Sequence, residues 1–135
     1  MRLIVCLDDR NGMSFNGRRQ SSDKLLCAHI AEIVQGCKLW MSSYSAPLFS
    51  GIDADIHIGE SFMQTDGEDD FCFVENVNIS DLVHQCREVI VYRWNRHYPA
   101  DAFFPEQMLS DMQMVNSEDF VGSSHERITQ EVYRV

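Results

Sequence analysis

The sequence has little positive charge. Eleven lysines and arginines stand against 21 aspartates and glutamates, so the 135-residue chain carries a formal net charge of −10 at pH 7. Such a chain repels the phosphate backbone of nucleic acids unless a local basic patch overcomes the overall field. We therefore expect no nucleic-acid partner.

Long apolar runs are also missing. None approaches the roughly 20 residues that a membrane-spanning helix needs, and the opening run LIVCL has the pattern of a strand rather than of a secretion signal. These absences predict a protein with no membrane association and a cytoplasmic location.

Cysteines and histidines lack the spacing of disulfide frameworks or metal sites. No C-x-x-C pair occurs and no two histidines lie at ligand spacing, so we expect reduced, buried cysteines and no bound metal. Each histidine is predicted to be a surface or structural side chain. The cysteines are Cys6, Cys27, Cys37, Cys72 and Cys86, and the histidines are His29, His57, His84, His97 and His125.

The order of apolar patterns predicts alternating strands and helices. Leu3 to Leu7 form a continuous apolar run, as expected for a strand buried on both faces. From Asp23 onward apolar residues recur at helical spacing, with Ser21 or Ser22 as N-cap and Gly36 as terminator. The later predicted elements are strands at 38–41, 55–59 and 71–74, a short helix at 79–86, a strand at 89–94, and a hairpin of 112–121 with 128–135.

This order predicts an α/β fold in one domain over residues 1–135. The expected architecture is a mixed, mostly parallel sheet with flanking helices, closed at one edge by a C-terminal antiparallel hairpin. A chain of 135 residues buries one substantial core and is too short for two ordinary domains.

Several segments, in the same order along the chain, resemble the dihydrofolate reductase family. DDRNGM resembles the loop after that family's first strand, SSDKL the start of its first helix, and KLWMSSYS its second strand and the following turn. VIVYRWNRHYPADAFFP is similar to a later strand, loop and Asp-x-x-Phe-Pro segment. Similar sequences also occur among small bacterial proteins, and the resemblance implies a shortened dihydrofolate reductase-like fold.

The resemblance places Asp23 on the family's active-site acid, which hydrogen-bonds the pterin ring and helps to protonate the substrate. A second interpretation stays open, because the helix macrodipole favours an acidic residue in a first turn whatever its function. The first interpretation makes Asp23 a catalytic residue, and the second makes it a structural one.

Departures from the family pattern predict that a nicotinamide cofactor no longer binds. Glu75 and Asn76 replace the glycine pair that lets backbone amides approach the cofactor, and Ser43 replaces an arginine that meets its phosphate. Only about a dozen residues separate Ile58 from Phe71, where the family has a further strand and helix. The chain is therefore expected to lack much of the adenosine-binding lobe, leaving a degenerate cofactor site.

A small anionic ligand is the partner that the remaining residues favour. If the sheet is ordered as in the resembled family, Asp23, Arg18, Arg19, Tyr92 and Arg93 gather near the carboxyl ends of the central strands, where open α/β sheets place ligands. Arginines in such a cleft bind carboxylates or phosphates through paired hydrogen bonds. The alternative is that these arginines are solvated or neutralise acidic neighbours.

Two further activities find little support. Some similar bacterial sequences carry a ribonuclease Z label, but that metallo-β-lactamase type of nuclease needs a His-x-His-x-Asp-His cluster, which is missing. The segment GSSHE places Ser123 and Ser124 beside His125, yet no third orienting group is visible in the sequence. We expect that segment to be a turn.

Two functional hypotheses remain, from different classes. One is a binding or regulatory module on a reductase-like sheet that has lost its dinucleotide site. The other is a cofactor-independent enzyme that uses Asp23 as general acid or base. An active pterin reductase is a third alternative, but it requires the cofactor contacts that the sequence lacks.

Overall fold

The computed structural model describes residues 1–61, 67–80 and 85–135, and the helices and strands below belong to those ranges. The strands are β1 (Arg2–Leu7), β2 (Gly12–Phe15), β3 (Arg18–Arg19), β4 (Lys38–Met41), β5 (Asp55–Ile58), β6 (Phe71–Val74), β7 (Glu88–Arg93), β8 (Ala102–Phe103), β9 (Gln113–Phe120) and β10 (Ile128–Arg134). The helices are α1 (Lys24–Ile33), α2 (Glu106–Ser110) and a 3₁₀ helix, Ala46–Phe49.

In the described part of the chain, seven strands form one mixed sheet in the spatial order β5, β4, β6, β1, β7, β10, β9. The first five run parallel to one another, with β1 at the centre between β6 and β7. Strand β10 pairs antiparallel with both β7 and β9. The mostly parallel sheet with a closing antiparallel hairpin is the predicted fold class, and the structure confirms it.

The central strand explains why the core has two halves. Side chains alternate across a strand, so Leu3, Val5 and Leu7 pack on one face against a cluster that includes Met108 of α2. Ile4 packs on the opposite face with Leu26 and Ile30 of α1. Burial on both faces is what the continuous apolar run of β1 predicted.

A second, smaller sheet was not predicted. Strands β3, β2 and β8 form it from residues that the sequence pattern had assigned to loops. Asn16 and Gly17 have positive φ values of 54° and 71° at the turn between β2 and β3. An Asn-Gly pair favours such two-residue hairpins, so FNGR contains a local signal for this hairpin.

Other details differ in smaller ways from the predictions. Helix α2 was not predicted, because its single turn is too short for helical periodicity to show. The predicted helix at 79–86 includes residues 81–84, which lie outside the described residues. Cys6 and Cys37 are partly exposed rather than buried, and all five cysteines are free thiols.

The helices are short. Among the residues that the structure describes, no helix has the length and apolar character needed to cross a bilayer.

Candidate functional site

Asp23 is the N-cap of α1. Its backbone is extended (φ −156°, ψ 127°), and Oδ1 accepts hydrogen bonds from the amides of Leu25 (3.0 Å) and Leu26 (3.1 Å). These amides have no carbonyl partner inside the helix, so a capping carboxylate stabilises the first turn. The predicted caps Ser21 and Ser22 are wrong, because the helix begins immediately after Asp23.

The same carboxylate binds the turn between β9 and β10. Oδ1 accepts hydrogen bonds from the amide (2.9 Å) and hydroxyl (3.1 Å) of Ser123. Oδ2 accepts from the amide (2.9 Å) and hydroxyl (3.2 Å) of Ser124, and lies 3.0 Å from Nδ1 of His125. None of the Asp23 side-chain surface is exposed. The carboxylate therefore joins two segments that are 100 residues apart in sequence.

The surroundings of Asp23 keep it ionised. Burial alone raises the pKa of the carboxyl group, but hydrogen bonds from the Ser123 and Ser124 amides and from His125 outweigh it and hold the pKa well below its usual range. The groups that offset the burial of Asp23 are thus amides and an imidazole.

His125 connects Asp23 to two hydroxyl groups. Its Nε2 lies 3.1 Å from Oγ of Ser21 and 3.1 Å from the hydroxyl of Tyr98. The ring stacks on Trp94 with centroids 4.5 Å apart, and only 3% of the side chain is exposed. Since an ionised carboxylate is only an acceptor, Nδ1 of His125 donates to Asp23, and in the neutral form of an imidazole with this tautomer Nε2 is an acceptor.

A cleft of about 510 Å³ runs along the outer side of Asp23, with Lys24, Cys27, Pro47 and Leu48 in its walls. The carboxylate itself is covered by the β9–β10 turn and has no surface in contact with solvent. Burial raises the pKa of Cys27 to about 11, so its thiol is protonated at neutral pH. This cleft therefore has neither an accessible carboxylate nor a thiolate.

Arg19 is held in an ion pair. Its guanidinium donates two hydrogen bonds to Glu75, of 2.9 and 3.0 Å, and its Cζ lies 4.3 Å from the centre of the Tyr44 ring. Glu75 also accepts a hydrogen bond of 2.8 Å from the hydroxyl of Ser45. The charge of Arg19 is thus neutralised inside the protein, and the pair ties β3 to the end of β6.

Tyr92 and Arg93 point to opposite faces of β7. Tyr92 is fully buried, and its hydroxyl lies 2.8 Å from Nδ1 of His29. Arg93 donates a hydrogen bond of 2.9 Å to Glu131 and a further one to the side chain of Asn11. No hydrogen bond or ion pair among the described residues joins either of them to Asp23. Since neighbouring residues of a strand face opposite sides of the sheet, Tyr92 and Arg93 do not line one cleft together.

Arg18 lies in the wall of a second cleft, between the β2–β3 hairpin and the segment after β7. At about 630 Å³ it is the larger of the two clefts that contain predicted site residues, and it is called the larger cleft below. Phe15, Asn16, Gln20 and Tyr98 also contribute to this wall. Arg18 is exposed and has no ion pair within the ranges that the structure describes. Of the residues predicted to bind an anion, it is the one whose charge is free.

The structure therefore separates the predicted cluster into four places. Asp23 lies with the β9–β10 turn, Arg19 with Glu75, Tyr92 in the core, and Arg93 beside β10, while Arg18 shares the cleft wall with Arg19. The assignments of these residues to catalysis and ligand binding stay predictions.

His125 is the residue that sequence reasoning did not place in the site. Within GSSHE it has two neighbouring serines but no orienting group. That group is Asp23, 102 residues away. No local spacing encodes this contact. The available signal was the predicted hairpin, because its position at one edge of the sheet places its turn near the start of α1.

Potential metal ligands are dispersed in the structure. Residues 1–61, 67–80 and 85–135 contain no group of three or more His, Cys, Asp or Glu side chains arranged to hold a metal ion. His84 lies outside those ranges, and the expected absence of a bound metal stays a prediction.

Comparisons with known proteins support the fold. The sequence matches no protein-family model and no curated protein. Among solved structures, dihydrofolate reductase from Enterococcus faecalis, in complex with NADP(H) and RAB-propyl, is similar with a TM-score of 0.65 at 12% identity. The alignment covers 98% of this chain and 94% of that chain. The fold is therefore dihydrofolate reductase-like, as the resemblance implied, while membership in a shortened branch of that family stays a prediction.

Asp23→Asn is expected to lower the free energy of unfolding at pH 7 by about 3 kcal/mol, because an amide group would face buried donors. A macrodipole contact alone is worth only about 0.3 to 1 kcal/mol. Since the folded pKa is depressed, the contribution is present above the unfolded pKa of about 3.9 and declines as the pH falls below it. Urea denaturation between pH 7 and pH 2 measures both effects.

The control for this substitution is Asp9→Asn, which changes an exposed carboxylate near β1. It is expected to alter the free energy of unfolding by less than about 0.5 kcal/mol. A difference between wild type and Asp23→Asn that stays constant down to pH 2 would contradict an ionised, hydrogen-bonded Asp23.

Gly122→Ala tests the packing of the β9–β10 turn. A Cβ atom at Gly122 would overlap the Asp23 carboxylate and lie 2.8 Å from Cδ1 of Ile128. We expect the free energy of unfolding to fall by about 1 to 3 kcal/mol, as for other overpacked sites. Gly59→Ala, where a Cβ meets nothing within 4 Å, is the control, and equal unfolding midpoints for the two variants would refute the expectation.

Proposed function

We propose that this chain is a ligand-binding or regulatory module on a dihydrofolate reductase-like fold, which binds a small anionic ligand and does not bind a nicotinamide cofactor. The observation that carries the proposal is the contrast between two neighbouring arginines. Arg19 is neutralised by Glu75, whereas Arg18 presents its charge to a cleft of about 630 Å³.

Loss of cofactor binding is supported by the contacts at the end of β6. Glu75 holds Arg19 and Ser45, and the Asn76 side chain donates a hydrogen bond of 2.7 Å to the carbonyl of Gly17. In the resembled family this place belongs to a glycine pair beside the cofactor. A dinucleotide approaching it would meet two side chains and would have to displace an ion pair whose side chains are only 27% and 9% exposed.

Binding of an anion is supported by the composition of the larger cleft. Arg18 supplies a cation, Phe15 and Tyr98 supply aromatic surface, and the side chain of Asn16 supplies polar contacts. Arginine binds carboxylates and phosphates through paired donors, and aromatic walls favour a planar ligand. An aromatic carboxylate or phosphate therefore matches this cleft better than a neutral or cationic molecule.

The hypothesis of a cofactor-independent enzyme that uses Asp23 as general acid or base has weaker support. A general acid or base must reach the proton that it transfers, and the Asp23 carboxylate is covered and accepts hydrogen bonds on both oxygens. Asp23 can therefore influence a substrate only through His125. Pterin reduction would in addition need the cofactor that Glu75 and Asn76 obstruct, and ribonuclease Z chemistry would need metal ligands that the described residues do not gather.

Arg18→Gln is expected to weaken binding of an aromatic anion. With benzoate and phenyl phosphate as probes, removal of one charge-assisted contact should raise Kd by about tenfold. Isothermal calorimetry at low ionic strength measures the change. Lys38→Gln, which removes the same charge from exposed Lys38 at the start of β4, should leave Kd unchanged, and an equal effect of both substitutions would show that only net charge matters.

NADPH is expected not to bind in the reductase manner. Titration followed by calorimetry should detect no micromolar binding, because the Arg19–Glu75 pair occupies the approach to β6. Glu75→Gly with Asn76→Gly, which restores the family's glycine pair, provides the matched variant. Micromolar binding of NADPH to the wild-type protein, with competition by a folate analogue, would restore the reductase hypothesis.

A further inference from the structure

We propose that Ser21, His125 and Asp23 form a nucleophilic triad in which Ser21 accepts an acyl group from a carboxylic ester. Oγ of Ser21 lies 3.1 Å from Nε2 of His125, and Nδ1 of the same ring lies 3.0 Å from Oδ2 of Asp23. A hydroxyl, an imidazole and a carboxylate joined in this order are the arrangement that activates serine nucleophiles on unrelated folds.

The direction of the hydrogen bonds suits proton transfer. Oδ2 of Asp23 accepts from Nδ1–H of His125, which leaves the lone pair of Nε2 to accept the proton of the Ser21 hydroxyl. When that proton moves, the positive charge that develops on the ring is stabilised by the adjacent carboxylate. Asp23 is therefore a positioning residue, and His125 is the general base.

The triad is held rigidly before any substrate arrives. The amides of Leu25, Leu26, Ser123 and Ser124 fix the Asp23 carboxylate, and Trp94 stacks on the His125 ring. Catalytic groups that are already in position save the entropy of arranging them during the reaction. Ser123 and Ser124, which the sequence placed beside His125, are occupied in holding the carboxylate and are not the nucleophile.

The proposed access to Ser21 is from the side of the larger cleft, which Ser21 adjoins but does not line. Ser21 is partly exposed and directly follows Gln20, and both Gln20 and Tyr98 line the cleft that contains Arg18. If the Asp23–His125 pair were purely structural, Nε2 of His125 would not need the partly exposed hydroxyl of Ser21 beside it. That the substrate is anionic follows from the proposed function, in which Arg18 binds an anion. An ester with an anionic group would place that group on Arg18.

The chemistry balances without a metal or a redox partner. Oγ of Ser21 attacks the ester carbonyl, its proton passes to Nε2 of His125, and the carbon–oxygen bond to the alcohol breaks as His125 returns the proton to the leaving alkoxide. Water then attacks the acyl-serine, His125 takes a proton from it, and this proton returns to Oγ as the acid leaves. The net reaction is ester plus water to acid plus alcohol.

Tyr98 provides a hydroxyl for the negative charge of the tetrahedral intermediate. Its hydroxyl and that of Ser21 both lie 3.1 Å from the same atom, Nε2 of His125. A neutral imidazole nitrogen accepts one proton. Once Nε2 takes the proton of Ser21, the Tyr98 hydroxyl is released to donate to the oxyanion, as donors in such sites do.

Fluorophosphonate labelling of the intact, folded chain tests the triad. The probe forms a covalent bond to an activated serine with loss of fluoride, and peptide mass spectrometry identifies the modified residue. We expect the adduct on Ser21, its loss in Ser21→Ala, and a labelling rate at least about 100-fold lower in His125→Gln. Ser22→Ala, which changes the neighbouring exposed serine, is the control and should be labelled like wild type.

Two results would overturn the triad. One is no adduct on Ser21 in the folded wild-type protein, which is decisive even if the His125 variant fails to fold. The other is labelling at the wild-type rate of a His125→Gln variant that circular dichroism shows to be folded. Heat-unfolded wild type supplies the rate of an unactivated Ser21, and folded protein reacting no faster than this reference also contradicts activation.

Comparison of two esters separates this inference from the proposed function. Hydrolysis of mono-(4-nitrophenyl) succinate is expected to exceed that of 4-nitrophenyl acetate by about tenfold in kcat/KM, and Arg18→Gln should abolish the preference. Labelling of Ser21 without any preference would overturn the anionic substrate and keep the triad. Benzoate binding without labelling would overturn the triad and keep the anion site.

Discussion

The buried carboxylate of Asp23 is the contact on which the candidate site depends. It caps α1, and it holds the turn that joins the last two strands of the sheet. An ionised group in this position is tolerated because amides, hydroxyls and an imidazole replace the water that it loses. The start of α1 and the closing hairpin are thereby fixed to each other, and His125 is held beside Ser21.

The topology of the sheet explains why these two segments meet. Strand β1 lies between β6 and β7, and β10 pairs with β7, so the loop after β1 and the turn before β10 reach the same edge. In parallel sheets the carboxyl ends of strands are where ligands and catalytic groups gather.

The two residues that follow β6 are tied into the fold by their side chains. Glu75 binds Arg19, and Asn76 binds the carbonyl of Gly17. These contacts join the smaller sheet to the end of β6. A fold similar to that of a reductase does not by itself establish the reductase's activity, since activity resides in the site residues.

The sequence predicted those features that are encoded by residues close together in the chain. The apolar run of β1, the periodicity of α1 and the spacing of the final hairpin are local patterns, and each predicted its element correctly. The missed elements are β2, β3, β8 and α2. Strands β3 and β8 have two residues each and α2 has five, too few for a period to show. The Asn-Gly turn before β3 was the available local signal.

By itself the sequence determined the α/β class and the positions of β1, α1 and the closing hairpin, because these follow from residue types and from spacings within a few turns. Tertiary structure alone decided that Asp23 faces His125, that Arg19 is neutralised while Arg18 is not, and that Tyr92 is core. Each of those outcomes depends on contacts between residues 56 to 102 positions apart or on the face of a strand within the assembled sheet. Electrostatic and hydrogen-bonding partners of that kind are set by topology, and no local pattern contains them.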